Sequence, residues 1–440
     1  MNPYKFLSYA FVWSLATVTS RIFYSKILTR NKKAFRLKHP TILVTNHPNT
    51  LYDPFMAAVP VNRFVHFLAN AGLFDIPVLG AFLGSTFGIK VERRQDVGVD
   101  GVKLDNDKAF RFAEEFLAKG GCLYIAAEGG SDIPRRIRQF KTGSARIALS
   151  TEDKNGFKLG LEILIVGLNY QDQRNFRTPI FRNVGEPIKV IDFEAIYRKD
   201  KFQAVTNLTA AMQKQAERLT IHTHDDEEDM LVRQLEEIVQ TEDPLSFDLV
   251  FDRTKIMISN WQDFQKENQE EVKKFTSKVK QYFSFLQKNK TSDCIFIKTQ
   301  KSNAKINWWM RTLLMVISYP IFVYGIANNF LANYTPALIN RKLKLHAAYT
   351  SAVKILSGIF TYLIFYWLQI WIFKQFFTKE LFIWMYIGSV ILTGFFSWWY
   401  KDFAKSTLSG WRLFRLPEEN LKSKIELRKS IMYQINSLLK

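Results

Sequence analysis

Asn46-His47-Pro48-Asn49-Thr50-Leu51-Tyr52-Asp53-Pro54 follows directly on the apolar run Thr41–Thr45 (TILVT). A histidine at a strand's carboxyl end, with a carboxylate one or two turns away, has the makings of a base and its orienting partner. Neutral imidazole takes a proton from an alcohol, and the carboxylate fixes the tautomer and stabilises the imidazolium that forms. His47 and Asp53 are that candidate pair, although a lone His near an Asp is more often plain structure. Six positions turn a helix by about 600° at 3.6 residues per turn, so the two side chains cannot share one helix face. They must meet across a turn, for which Pro48 and Asn49 are suited.

Further groups follow in order. Gly84-Ser85-Thr86-Phe87-Gly88-Ile89-Lys90-Val91-Glu92-Arg93-Arg94 sets two arginines just past a short β-like run, where a guanidinium can grip a phosphate through two parallel bonds. Arg93 is the candidate ligand and Arg94 its rival. Leu123–Ala127 then runs into Glu128-Gly129-Gly130-Ser131-Asp132, and glycines after a strand let successive N–H groups converge on an anion. Lys141, in Phe140-Lys141-Thr142-Gly143, offers a second cation for the same anion. For Glu128 the plain alternative is a carboxylate that only braces the glycine turn; for Lys141 it is a solvated surface charge.

These groups need a scaffold, and the chain supplies one. Thr41–Thr45, Arg63–Leu68, Ile89–Val91, Leu123–Ala127 and Ile163–Leu168 are near-continuous apolar runs, as strands buried on both faces should be. Asp105–Lys119 sets Phe110, Ala113, Phe116 and Leu117 at helical spacing and stops at Gly120-Gly121. Strands alternating with helices predict an α/β fold with a mixed central sheet and helices on both faces.

Composition narrows the partners. Of 440 residues, 61 are Lys or Arg and 41 are Asp or Glu, a formal charge of +20 that asks for a polyanion. Phe numbers 38 and Trp 10, crowded into the last third with long uncharged runs, which suits a bilayer better than a nucleic-acid groove. Thr312–Asn340 is uncharged but interrupted by Pro320 and Pro336, so it is expected to dip into the membrane and return, or to lie at its surface, with a clean third span as the rival; Ile355–Phe373 and Leu381–Tyr400 read as a hairpin. Basic flanks at Arg341, Lys342 and Lys344, and at Lys401 and Lys405, are expected to share the cytoplasmic side. Phe6, Ala10, Trp13, Leu15 and Val18 predict an amphipathic surface helix near the N-terminus.

The division expected is 1–35 surface helix and basic connector, 36–225 α/β domain, 226–305 charged helical extension, 306–400 membrane-embedded segments and 401–440 basic amphipathic tail. Cys122 reads as a buried strand residue, and Cys294 pairs with nothing by spacing. His222-Thr-His224-Asp225-Asp226-Glu227-Glu228 has the composition of a metal cluster but reads as a solvated acidic turn, so no metal is expected. Arg135-Arg136-Ile-Arg138 reads as a basic face toward headgroups or a CoA phosphate.

The ordered set from Asn46 to Gly185-Glu186-Pro187-Ile188 resembles the four blocks of the glycerolipid (phospholipid/glycerol) acyltransferase superfamily, over roughly residues 25–225: NH-x-D, a G-x-x-x-x-x-R block, EGxS with a following Lys-x-Gly, and a late apolar strand. The family carries four residues between His and Asp where this chain carries five; Tyr52 stands in the usual acid's place. That gap, the EGGS form and the hydrophobic C-terminal part resemble the glycerol-3-phosphate/dihydroxyacetone-phosphate branch. The resemblance implies His47 as base, Asp53 as its partner and Arg93 as a ligand for substrate phosphate. It implies a pocket shaped by Glu128, Gly129, Gly130 and Ser131 with Lys141 nearby. It also implies transfer from acyl-CoA or acyl carrier protein to glycerol-3-phosphate at a membrane, with no cofactor and no nucleic-acid partner. Acylation of lysophosphatidate is the alternative within the family, and a non-catalytic lipid-binding protein of the same fold is the alternative outside enzymes.

Overall fold

The computed structural model describes residues 3–50, 52–75, 79–92, 106–130, 135–343 and 349–439. The chain forms two compact units, Met1–His224 with Leu345–Ala352, and Asp225–Lys344 with Val353–Lys440.

The first unit is built on a mixed eight-stranded sheet. Its strands are β1 (Ile27–Arg30), β2 (Thr41–Thr45), β3 (Val65–Asn70), β4 (Gly88–Val91), β5 (Cys122–Ala126), β6 (Glu162–Tyr170), β7 (Ile180–Val184) and β8 (Ile188–Lys189). The spatial order is β1-β7-β6-β2-β5-β3-β4, with β8 paired to β6. β6 runs antiparallel to β7 and β8, and the remaining pairs are parallel. All five residues of β2 are buried, because β5 and β6 flank it and helices cover the sheet.

Ile42, Val44, Leu123, Ile125, Ile163 and Ile165 pack on one face against α5 (Asp107–Ala118), α6 (Gly143–Lys154) and α8 (Lys201–Leu219). Leu43, Tyr124 and Leu164 point the other way and are equally buried; there α2 (Asp53–Ala58) packs on β2, β5 and β6. The sheet is therefore covered on both faces, as expected from sequence. Gly167 lets α8 end on β6, since a Cβ there would sit 2.3 Å from the Leu219 carbonyl oxygen. Among the described residues this unit also holds the α-helices α1 (Pro3–Phe23), α3 (Ala71–Phe74), α4 (Leu79–Ser85) and α7 (Glu194–Lys199).

α1 docks one face on the sheet domain. The Trp13 indole donates to the Val59 carbonyl at 2.8 Å, the Val65 amide donates to Tyr9 Oη at 3.3 Å, and Ala16, Ser20 and Phe23 are buried. Tyr4, Leu7, Phe11, Val18 and Ile22 stay exposed, and at 100° per residue they form one stripe on the opposite side of the helix.

The second unit is helical: α9 (Asp226–Glu242), α10 (Phe247–Glu267), α11 (Gln269–Lys288), α12 (Asp293–Thr299), α13 (Ala304–Leu343), α14 (Thr350–Lys374, its first turn in the other unit), α15 (Glu380–Leu413) and α16 (Glu418–Leu438). The extension, apolar helices and tail pack together here. The acidic run at 225–229 has a local cause. Asp225 caps α9 by accepting the Glu228 amide at 2.7 Å, and the acids behind it fill the first turn, where the helix dipole favours negative charge.

Four described helices are long and apolar enough to cross a membrane: α1, α13, α14 and α15. α13 runs unbroken for 40 residues through Pro320 and Pro336, so the expected dip and return is not what forms. Proline at 336 cannot donate to the Ala332 carbonyl, and the Thr361 hydroxyl of α14 supplies the missing hydrogen at 3.2 Å. The continuous helix also separates the basic flanks. Arg311 donates to the Ser406 hydroxyl at 2.5 Å, near Lys401 and Lys405, while Arg341 lies about thirty residues further along α13, roughly 45 Å at 1.5 Å per residue and longer than a hydrocarbon core.

Candidate active site

β2 ends at Thr45, whose hydroxyl is 2.8 Å from that of buried Tyr124 on β5. The next residue locks the strand end to the opposite neighbour. The Asn46 amide donates to the Leu168 carbonyl at 2.9 Å, and its oxygen accepts the Leu168 amide at 2.7 Å. His47 therefore leaves the sheet from a fixed point. Pro48–Thr50 then turn the chain, Thr50 with a positive φ of 30°, and Asp53 opens α2.

This turn brings together the two residues that spacing alone could not put on one helix face. His47 Nδ1 lies 3.1 Å from Asp53 Oδ2. The contact is close, yet Nδ1 is buried and not aligned for a hydrogen bond; catalytic contacts of this kind often tighten only with substrate bound. Asp53 itself is fixed. Fully buried, it accepts the Asn49 amide on Oδ2 at 2.7 Å and the Tyr170 hydroxyl on Oδ1 at 2.6 Å. Burial first, and the Asp53 charge second, hold the Tyr170 phenol well above its usual range, so it remains a donor at any ordinary pH.

The turn has further ties. Asn49 Nδ2 donates to Tyr24 Oη at 2.9 Å, and its oxygen accepts the Ser351 hydroxyl. Tyr52, at the position where the family motif has its acid, points away from His47. Its hydroxyl lies 2.8 Å from Ser20 Oγ and 3.0 Å from Thr19 Oγ1 on α1.

Glu128 approaches from β5 and accepts the backbone N–H of His47 at 3.1 Å. It is buried, and burial pushes its carboxyl up to about 8 against the pull of the His47 and Arg138 amides. Gly129 follows at φ +66°, a left-handed conformation that glycine adopts without a steric penalty. Lys141 is exposed; its amide donates to the Ala127 carbonyl at 2.8 Å, and its Cγ would lie 3.5 Å from a Cβ on Gly129. His47, Asp53, Glu128, Gly129, Gly130 and Lys141 thus belong to adjoining strand ends, β2 and β5. Arg93, Arg94 and Ser131 lie outside the described residues.

Other sequence candidates are occupied elsewhere. His222 Nδ1 accepts the Ile137 amide at 3.1 Å, and the Thr223 amide donates to the Arg135 carbonyl at 2.9 Å, so 222–224 is zipped to the basic segment. Among the described residues no three metal-ligating side chains converge. Cys122 is buried in β5, and burial pushes its thiol up to about 12.

Residues 26–170 match the family model described as Acyltransferase, a span that contains the His47–Asp53 turn and ends on Tyr170. Among solved structures the chain is similar to the 1-acyl-sn-glycerophosphate (LPA) acyltransferase PlsC from Thermotoga maritima, at 17% identity and a TM-score of 0.32, covering 48% of this chain and 84% of that one. A comparison with curated proteins gives no match.

Proposed function

We propose that this chain is a membrane-bound O-acyltransferase that moves a fatty acyl group from an acyl thioester to the hydroxyl of glycerol-3-phosphate, with His47 as general base. The carrying observation is the 3.1 Å approach of His47 Nδ1 to a carboxylate held by two donors of its own, within the stretch that matches the acyltransferase family. With Nδ1 turned to Asp53, Nε2 is the nitrogen left for substrate.

In this reading Nε2 takes the acceptor's hydroxyl proton as the oxygen attacks the thioester carbonyl. Asp53 stabilises the imidazolium, and N–H donors near Gly129 face the oxyanion. The intermediate collapses, the carbon–sulfur bond breaks, and the imidazolium returns its proton to the leaving thiolate. Arg93 and Ser131, with Lys141, would hold the phosphate. No cofactor is needed beyond the thioester, whether CoA or carrier protein. The basic end of the second unit, where Arg311 reaches Ser406 next to Lys401 and Lys405, would lie on the cytoplasmic side.

The test incubates purified full-length chain with acyl-CoA and either glycerol-3-phosphate or lysophosphatidate. Faster turnover of glycerol-3-phosphate is expected; preference for lysophosphatidate would move the chain to the alternative acceptor. His47→Ala should lower either rate by about 10²–10⁴. No transfer by the wild type to either acceptor would favour a non-catalytic lipid-binding protein. For topology, a cysteine placed by Thr378→Cys should be labelled from outside only, and cytoplasmic labelling would reverse the assignment.

A further inference from the structure

A cleft of about 490 Å³ opens between the C-terminal half of α1, the start of β1 and the 171–182 segment. Arg21, Lys26, Arg177 and Arg182 all line it, and no carboxylate does. None of the four makes an ion pair among the described residues. Like charges around one cavity repel, and the arrangement is stabilised by an anion that accepts from all of them.

Two of the cations are held in place before any ligand arrives. Arg177 Nη1 donates to the Arg21 and Ile22 carbonyls at 3.3 and 3.4 Å. Arg182 donates through Nε to Thr29 Oγ1 at 2.9 Å and through Nη1 to the Met56 carbonyl at 3.2 Å. Each keeps its Nη2 without a partner among the described residues. Arg21 and Lys26 are exposed at the mouth. The strand order sets this cleft on the β1–β7 side of the His47–Asp53 turn, whereas Glu128 and Lys141 lie on the β5 side. It is not the pocket assigned above to substrate phosphate.

Position selects the ligand. Arg21 lies in the last turn of α1 beside Val18 and Ile22 of the exposed apolar stripe. A helix that rests an apolar stripe at the headgroup–acyl boundary brings its flanking cations level with lipid phosphates. The docked face of α1, fixed by Trp13 and Tyr9, leaves that stripe as its membrane side. We propose that the Arg21–Lys26–Arg177–Arg182 cleft binds the phosphate of an anionic lipid headgroup while the α1 stripe lies in the bilayer surface. The inference does not depend on acyl transfer.

Dioctanoyl phosphatidylglycerol, dioctanoyl phosphatidylcholine and CoA would each be titrated against full-length protein in detergent, with affinity read by thermophoresis. Phosphatidylglycerol is expected to bind at least about tenfold more tightly than phosphatidylcholine, and Arg21→Gln with Lys26→Gln should erase that difference. Lys26→Gln alone, a change at an exposed side chain, should weaken it about threefold. Far-UV circular dichroism checks that both variants fold. Unchanged phosphatidylglycerol affinity in the double variant would overturn the site. Equal binding of the two lipids, with CoA binding lost in the variants, would overturn the lipid assignment in favour of a soluble phosphate.

Discussion

Tyr170 donates a 2.6 Å hydrogen bond to Asp53 across 117 residues of sequence. The bond ties the last residue of β6 to the first residue of α2, so the carboxylate facing His47 is aimed by the sheet. Asn46 does the same for the histidine from the other side, by pairing with Leu168 two residues earlier on the same strand. Both halves of the proposed dyad are thus referred to β6.

Tyr170→Phe should therefore act on orientation. A hydrogen bond to a charged group contributes about 1.5–3 kcal/mol, and the Asn49 amide still holds the other oxygen. Thermal stability should fall by a comparable amount and kcat by about tenfold, with KM for the acceptor nearly unchanged, since Tyr170 touches Asp53 and not substrate. Wild-type kcat in a folded variant would remove Tyr170 from the mechanism.

Glu128 predicts a pH dependence of stability. Its folded carboxyl titrates at about 8 against an ordinary 4.5, mainly because it is buried. The folded state then holds a proton that the unfolded state releases, so this contribution is complete below the unfolded value and disappears as pH rises through the folded one. Glu128→Gln keeps an oxygen for the His47 amide and cannot ionise. Between about pH 5 and pH 9 the wild type should lose up to ~4 kcal/mol relative to this variant. Parallel melting-temperature curves for the two proteins over that range would show that Glu128 is ionised in the fold.

Much of this geometry is legible in the amino-acid sequence, and the part that is not has a common cause. TILVT is buried on both faces and announces itself as a strand. The His47–Asp53 separation forbids a shared helix face, which leaves a turn. Ile27–Arg30 and Ile180–Val184 escaped because each is short and carries arginine or asparagine, and they form strands only by pairing with one another and with β6. Tyr170 and Asn46 escaped as supports because their partners come from distant sequence; the one signal was a polar end, Asn169-Tyr170, on an otherwise apolar run. Pro336 is hard to read for a related reason: it predicts a helix break locally, and Thr361 of α14 supplies the missing donor from distant sequence.

Gly129→Ala isolates backbone conformation from packing. The added methyl would meet Lys141 Cγ at 3.5 Å, an ordinary contact, so the cost comes from φ +66° and should be about 1–2 kcal/mol. Thermal melting of the variant measures it. A loss much larger than this would mean that the loop after β5 is packed more tightly than the contact distances indicate.

The second unit offers a test independent of catalysis. Arg428 on α16 is buried and grips Asp293 at the start of α12 through Nε–Oδ1 at 2.6 Å and Nη2–Oδ2 at 2.8 Å. Asp293 is fully buried and also accepts the Tyr282 hydroxyl at 2.5 Å. Arg428→Met would keep the bulk of the stem but leave that carboxylate without a cation, a loss of about 3–5 kcal/mol. Glu242, the other partner of Arg428 and half exposed, regains water and adds little. Combining Arg428→Met with Asp293→Asn should recover more than half of the loss, because the neutral amide no longer needs a counter-charge while still accepting from Tyr282. Melting temperatures of wild type, the two single variants and the pair complete the cycle. Additive losses would show that the two residues act separately and that the C-terminal helix is held by its apolar face alone.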